Sequence, residues 1–217
     1  MGRRDKIPKF PDSYIGKKAE EYDNLKSMER NQKKNTTKCI QYLFDEKLSK
    51  GTDNIQKDGQ YLVLDLGCGS GFSLEVLIQQ GFRVIGVDVL FDMLSKANEK
   101  KKLHRYRNAN LILADVNNLP LKNKKIDHII SVSAYNFITY NKDGLGEKRK
   151  VINNTAKYLN KILKKNGRII IEFYPENKKE LDLFCNSFIT NGFEGFMVKK
   201  KPNQKSGQIF LLLKKKR

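Results

Sequence analysis

Acidic residues are scarce beside basic ones. The 217 residues hold 24 Asp and Glu against 43 Lys and Arg, a formal charge of +19. That excess goes far beyond what solubility requires and makes a polyanionic partner the leading explanation, since nucleic acid and an anionic membrane surface both fit the charge. Long apolar runs are also missing. No stretch approaches the ~20 residues needed to span a bilayer, and MGRRDKIPKF has no signal-peptide core, so a soluble intracellular protein with no membrane attachment is expected. Cysteine and histidine are few. Cys39, Cys68 and Cys185 are odd in number and isolated, with only His104 and His128 beside them. This argues against a disulfide framework and against a metal site, and reduced cysteines are expected.

What is present is an alternation of strand-like and helical patterns. The first 29 residues are polar and basic with two tyrosines, and a helix is predicted near 30–49. Strand YLVLDL, helix SLEVLIQQ closed by Gly81, strand FRVIGVD, helix FDMLSKANEKK, and strands NLILAD and IDHIISVSA follow. KVINNTAKYLNKILKKNG reads as an amphipathic helix with Gly167 just past its end. Strand RIIIEFYP, a helix within KKELDLFCNSFITN, and a β-hairpin from FEGFMVKK and GQIFLLLKK close the chain. The expectation is an α/β fold of Rossmann-like type, a seven-stranded and mostly parallel sheet with helices on both faces and an antiparallel carboxyl-terminal pair.

Such sheets bind ligands outside the carboxyl ends of their strands, and LDLGCGSG lies at the first such end. Gly67, Gly69 and Gly71 permit a tight turn and close approach of a ligand to main-chain N–H groups. The spacing G-x-G-x-G, preceded by Asp65, differs from the dinucleotide pattern G-x-G-x-x-G. A carboxylate there repels a pyrophosphate and holds the ammonium group of an amino acid. The pattern therefore favours S-adenosylmethionine (SAM). Asp88, at the end of the second strand, is placed to accept both ribose hydroxyls, and Asp115, after the third, to accept the adenine amino group. Cys68 and Ser70 in the loop, Val89 and Val116 beside the two aspartates, and Ser133 after the fourth strand complete the expected cofactor set.

The chain resembles the small-ribosomal-subunit rRNA guanine-N7 methyltransferases, a class I SAM-dependent family. The resemblance rests on Tyr14 and Tyr22 with Ala19 between them, LDLGCGSG, SVSAYNFI, LKKNGRIIIEFYPEN and the late Gly192-Phe193-Glu194-Gly195. Family members carry S-A-x-Q-W where this chain has Ser133, Ala134, Tyr135, Asn136 and Phe137. The resemblance implies a lid formed by residues 1–29 over a methyltransferase domain of 30–217, with Tyr22 at the cofactor and Tyr14 at the target base. It also implies a small zinc-binding activator subunit paired along residues 110–115, an edge strand with neither Lys nor Pro to protect it. Because the sequence stops soon after its last strand, it reads as a compact archaeal-like member, cytoplasmic, or nuclear for a eukaryotic source.

Guanine N7 carries an exposed lone pair, so its methylation needs positioning rather than a general base. No Asn-Pro-Pro-Tyr motif follows the fourth strand, and no cysteine stands where a cytosine nucleophile belongs. Tyr135, Asn136, Phe137 and Tyr174 are the candidates to hold a flipped purine by stacking or hydrogen bonds. Basic stretches at 33–34, 100–107, 122–125, 199–201 and 214–217 are candidates to track the phosphates of ribosomal RNA. Two other readings stay open at this level: a small-molecule methyltransferase of quinone or lipid synthesis, and a ribosome-assembly factor with a non-catalytic SAM site.

Overall fold

A computed structural model describes residues 9–49, 60–199 and 208–216 of the chain. Seven strands form one sheet in the order β3-β2-β1-β4-β5-β7-β6. They are β1 (Leu62–Leu66), β2 (Arg83–Asp88), β3 (Ala109–Leu113), β4 (Ile126–Val132), β5 (Leu163–Phe173), β6 (Phe193–Lys199) and β7 (Ile209–Lys215). β1 to β5 run parallel, and β7 is antiparallel to both β5 and β6. Six helices accompany them: α1 (Lys17–Asn24), α2 (Lys26–Leu43), α3 (Phe72–Gln79), α4 (Phe91–Leu103), α5 (Leu145–Ile162) and α6 (Lys178–Thr190). Among the described residues no helix is long and apolar enough to cross a membrane.

The strands are apolar throughout because alternate residues serve two separate cores. Leu64, Leu66, Ile129, Ile169 and Ile171 meet α5 and α6, while Val63, Ile130, Ile170 and Leu212 meet α2 and α3. Period-two alternation of a pleated strand sends neighbours to opposite faces. Burying each such Leu or Ile contributes about 1.5–3 kcal/mol before entropy is subtracted. α5 follows the same logic with Ile152, Ala156, Leu159 and Ile162 on its inner stripe.

Several boundaries differ from the sequence reading, α2 running Lys26–Leu43 where a helix near 30–49 is expected. α5 stops at Ile162, and Gly167 lies inside β5 instead of capping the helix. β5 pairs Leu163 with Ile126 and then resumes at Arg168 opposite His128, so residues 164–167 bulge outward. A Cβ on Gly167 would sit 2.7 Å from Asp127 O, which is why glycine stands there. The amino-terminal segment also holds a helix of its own, α1, which the polar composition of residues 1–29 concealed.

Candidate active site

The order of strands reverses between β1 and β4, and there a cleft of about 990 Å³ opens at the carboxyl ends of the parallel strands. Its floor is the glycine loop. Gly67 N and Cys68 N both donate to Val87 O at 2.8 and 2.9 Å, locking the loop to the end of β2. Gly67 has φ +72°, and a Cβ there would meet Ala134 Cβ at 2.2 Å, so glycine is demanded by conformation and by the neighbouring loop together. Gly71, at φ +90°, opens α3.

Asp88 organises the next edge. Its carboxylate accepts from Gly69 N at 2.8 Å and Leu90 N at 2.9 Å, and burial raises its pKa against those two bonds. The acceptor capacity its two oxygens retain is open to the diol of a ribose. Asp65 lies beneath the floor, 1% exposed, and does not itself line the cleft. Its Oδ2 accepts from Ser73 Oγ at 2.5 Å, its Oδ1 has no partner, and burial pushes its pKa up to about 7. Ser70 Oγ is also buried without a partner, beside the cleft. An orphaned carboxylate oxygen and an orphaned hydroxyl next to a diol acceptor fit a nucleoside that bears a cationic amino-acid arm, as SAM does.

The opposite wall is aromatic. Phe137 stacks on Phe10 with centroids 4.7 Å apart and planes at 15°, and Tyr14 meets Phe137 edge-on at 5.8 Å. Tyr14 also meets Tyr22 at 5.3 Å, and burial raises the pKa of both phenols. Residues 9–24 are tied down over the loop by Gly16 N donating to Asp92 Oδ2 at 2.6 Å. Lys100 adds an ion pair with Asp23, a bond to Ser70 O at 3.0 Å and a cation–π contact with Phe72 at 3.8 Å.

Below this wall sits Glu172, fully buried at the end of β5. It accepts from Ser133 Oγ at 2.6 Å, Gln208 Nε2 at 2.7 Å and Asn35 Nδ2 at 3.4 Å. Ser133 takes a left-handed conformation, φ +56°, which turns its hydroxyl toward this carboxylate. Tyr174 is 48% exposed on the cleft, with its phenol pKa raised by burial first and by Glu172 second.

The predicted residues therefore divide. Gly67, Cys68, Gly69, Ser70, Asp88, Ser133, Asn136, Phe137, Tyr14, Tyr22 and Tyr174 all line one cleft. Tyr135 does not: it is 1% exposed and packs between Phe184 and Phe188 of α6, because the short 3-10 turn Tyr135–Thr139 aims successive side chains in different directions. Asp115 is exposed and outside the cleft lining, and its Oδ1 accepts from Asn117 N at 2.8 Å, a local turn bond. Val116 packs against the α5 core and Val89 is exposed outside the cleft. Asn136 is engaged on both ends of its amide, donating to Tyr174 O at 3.0 Å and accepting from Tyr174 N at 3.2 Å, so it holds the Tyr174 backbone.

Sequence reading missed Phe10, Leu90, Met93, Gln208 and Glu172. Only Glu172 left a signal: a lone carboxylate inside the apolar run IIIEF has no cheap structural explanation.

A glycine loop, a strand-ending aspartate and an aromatic wall lie together at the switch point of a seven-stranded sheet, and comparisons with known proteins bear on that arrangement. The 18S rRNA (guanine-N(7))-methyltransferase bud23 of Schizosaccharomyces pombe is 27% identical over 83% of this chain and 66% of its own length. The 18S rRNA (guanine-N(7))-methyltransferase of Bos taurus is 29% identical over 97% of this chain and 70% of its own length. In fold, geranyl diphosphate C-methyltransferase of Streptomyces coelicolor superposes with a TM-score of 0.66 at 10% identity, covering 87% of this chain and 80% of that one. Residues 57–210, most of the chain, match the family model described as a methyltransferase domain, and the chain belongs to that family.

Proposed function

We propose that the chain is a SAM-dependent methyltransferase that transfers a methyl group to N7 of a guanine in small-subunit ribosomal RNA, in ribosome biogenesis. The observation that carries the reading is the match to 18S rRNA guanine-N7 methyltransferases along 97% of the chain. The cleft supports it by offering aromatic faces to a purine. The glycine loop and Asp88 would hold SAM, whose sulfonium would supply an electrophilic methyl to the N7 lone pair, with the thioether as leaving group and no proton released. What the chain must do is align and desolvate. Asp88 and Gly69 fix the nucleoside, Asp65 and Ser70 receive the amino-acid arm, and Phe137, Tyr14 and Tyr174 clamp the purine. Methylated guanine is cationic, and the aromatic faces stabilise that charge as it forms.

Residues 1–29 act as the lid and 30–217 as the catalytic domain. Phe10, Tyr14 and Tyr22 on the cleft support this, residues 1–8 lying outside the described ones. The small zinc-binding activator belongs on β3. β3 is an edge strand, Leu113 is 51% and Leu103 of the adjoining α4 76% exposed, and Phe91 and Val89 extend the apolar strip. The two relatives named above are eukaryotic, and an enzyme for their small-subunit RNA meets it in the nucleus; a cytoplasmic site of action goes with an archaeal-like source.

The test is to give the purified chain labelled SAM with small-subunit RNA, transfer RNA and a lipid extract, with and without the activator. Label in small-subunit RNA is expected. Label in lipid alone, or in none of the three, would overturn the reading.

A further inference from the structure

The lysine-rich stretches do not all gather around the cleft. Lys124 N donates to Lys161 O at 3.1 Å and Lys125 N to Ile162 O at 2.9 Å, pinning the turn before β4 to the end of α5. The bulge that opens β5 adds Lys164 and Lys165. β7 ends beside it, with Lys214 in register with Arg168, so Lys215 and Lys216 join the group. Lys165, Arg168, Lys215 and Lys216 share the rim of one dimple of about 20 Å³. All of this lies at the amino ends of β4 and β5, whereas the cleft lies at their carboxyl ends. Seven residues of β4 put about 23 Å between them.

Few carboxylates answer this charge. Asp127 pairs with Lys164 at 2.6 Å and Glu194 with Lys214 at 3.6 Å. Lys124, Lys125, Lys165, Lys215 and Lys216 have no carboxylate partner among the described residues. Lys215, its amine already partly buried and bonded to Leu163 O, has its pKa lowered further by the charge of Lys124. Three adjacent strand ends, roughly 5 Å apart, thus present like charges that only an external anion relieves.

We propose that this lysine face is a second RNA-binding surface, which grips phosphates of a separate helix of the folded substrate while the target nucleotide occupies the cleft. It rests on the rRNA reading above. A lipid surface fits less well, because Val89, Phe91, Leu103 and Leu113 lie on and beside the β3 edge, and beside these lysines stands the exposed Ile189, whose carbonyl accepts from Lys216 Nζ at 3.3 Å, too small an apolar face to insert. The consequence is that substrate choice belongs to RNA shape as well as to the base: a short strand that fills the cleft cannot reach the far end of the sheet.

The test uses the full chain carrying Lys124→Gln, Lys125→Gln and Lys165→Gln, exposed side chains with no role in the cleft. Binding is measured across a salt series to a folded small-subunit RNA domain, to a short guanine-containing single strand and to phosphatidylserine vesicles, alongside SAM affinity. The expected result is a fall of about 2–3 in the log–log salt slope for the folded RNA, with short-strand and SAM affinities unchanged. An unchanged slope, an equal loss on the short strand, or vesicle binding that exceeds RNA binding and vanishes in the variant would overturn the proposal. A reduced slope without any N7-methylguanine formed sinks the reaction and leaves the face standing; methylation with an unchanged slope sinks the face alone.

Discussion

Asp65 and His128 are buried ionisable side chains whose protonation opposes one another. Burial lifts Asp65 to about 7 and drops His128 to about 4. His128 stays neutral in the fold, with Nδ1 accepting from Arg168 N at 3.3 Å. The unfolded chain binds a proton near pH 6.5 and the folded chain does not, so this residue costs stability as pH falls from about 6.5 to about 4, up to about 3 kcal/mol. Urea denaturation of the protein and of His128→Asn should show their stability difference changing by about 2 kcal/mol between pH 7.5 and pH 5; a constant difference would remove the residue from the acid response. Asp65 runs the other way in the free protein, since its raised pKa favours the protonated fold. An ammonium group placed above it demands the carboxylate, so SAM affinity should rise with pH, at most tenfold per unit, from about 5.5 to 7 and then level off. Calorimetry across that range checks it, and Asp65→Asn should flatten the curve. Asp88→Ala should weaken SAM binding sharply and also cost about 1–3 kcal/mol of stability, since Gly69 N and Leu90 N lose their acceptor. Unchanged SAM affinity would reject the ribose contact.

At the scale of elements, the site depends on how short turns aim side chains. Asn136 ties the turn after β4 to the turn after β5, so Asn136→Ala should lower methyl transfer at least tenfold with SAM affinity within about twofold; a parallel fall in both would make it part of the cofactor floor. Phe137→Ala should act in the same direction by removing a stacking face, which is worth about 1–3 kcal/mol per base. Much of this was legible in the sequence. The glycine loop and Asp88 sit at the ends of β1 and β2 and line the cleft, as their local spacing implies, and the strands read correctly because their two-sided burial leaves unbroken apolar runs. Tyr135 and Phe137 did not separate, since neighbours in a 3-10 turn differ only in direction, which composition does not record. Asp115 lies outside the cleft lining for another reason: a strand-ending aspartate serves a turn as readily as a ligand, and Asn117 N bonds to it. Phe10 lies far from Phe137 in sequence, and only the packing of the amino-terminal segment joins them.

At the scale of the whole molecule, two edges and two ends have different tasks. Among the described residues β3 and β6 are the two edge strands, and β3 carries apolar Leu111, Ile112 and Leu113 along its open edge. A Leu113→Pro change should abolish co-purification with a strand-adding activator, while RNA binding of the isolated chain stays within about twofold. Retention of the activator at moderate salt would move the interface to a helical face. The positive charge, +19 overall, suits a large polyanion, and a reaction whose nucleophile needs no activation suits a cleft that works by positioning. The most direct measurement is nucleoside mass spectrometry of small-subunit RNA after reaction with the wild-type chain and with Phe137→Ala. The account predicts one additional N7-methylguanosine per RNA molecule with the wild type and a loss of most of it in the variant; a methyl group on any other atom, or none on the RNA, contradicts it.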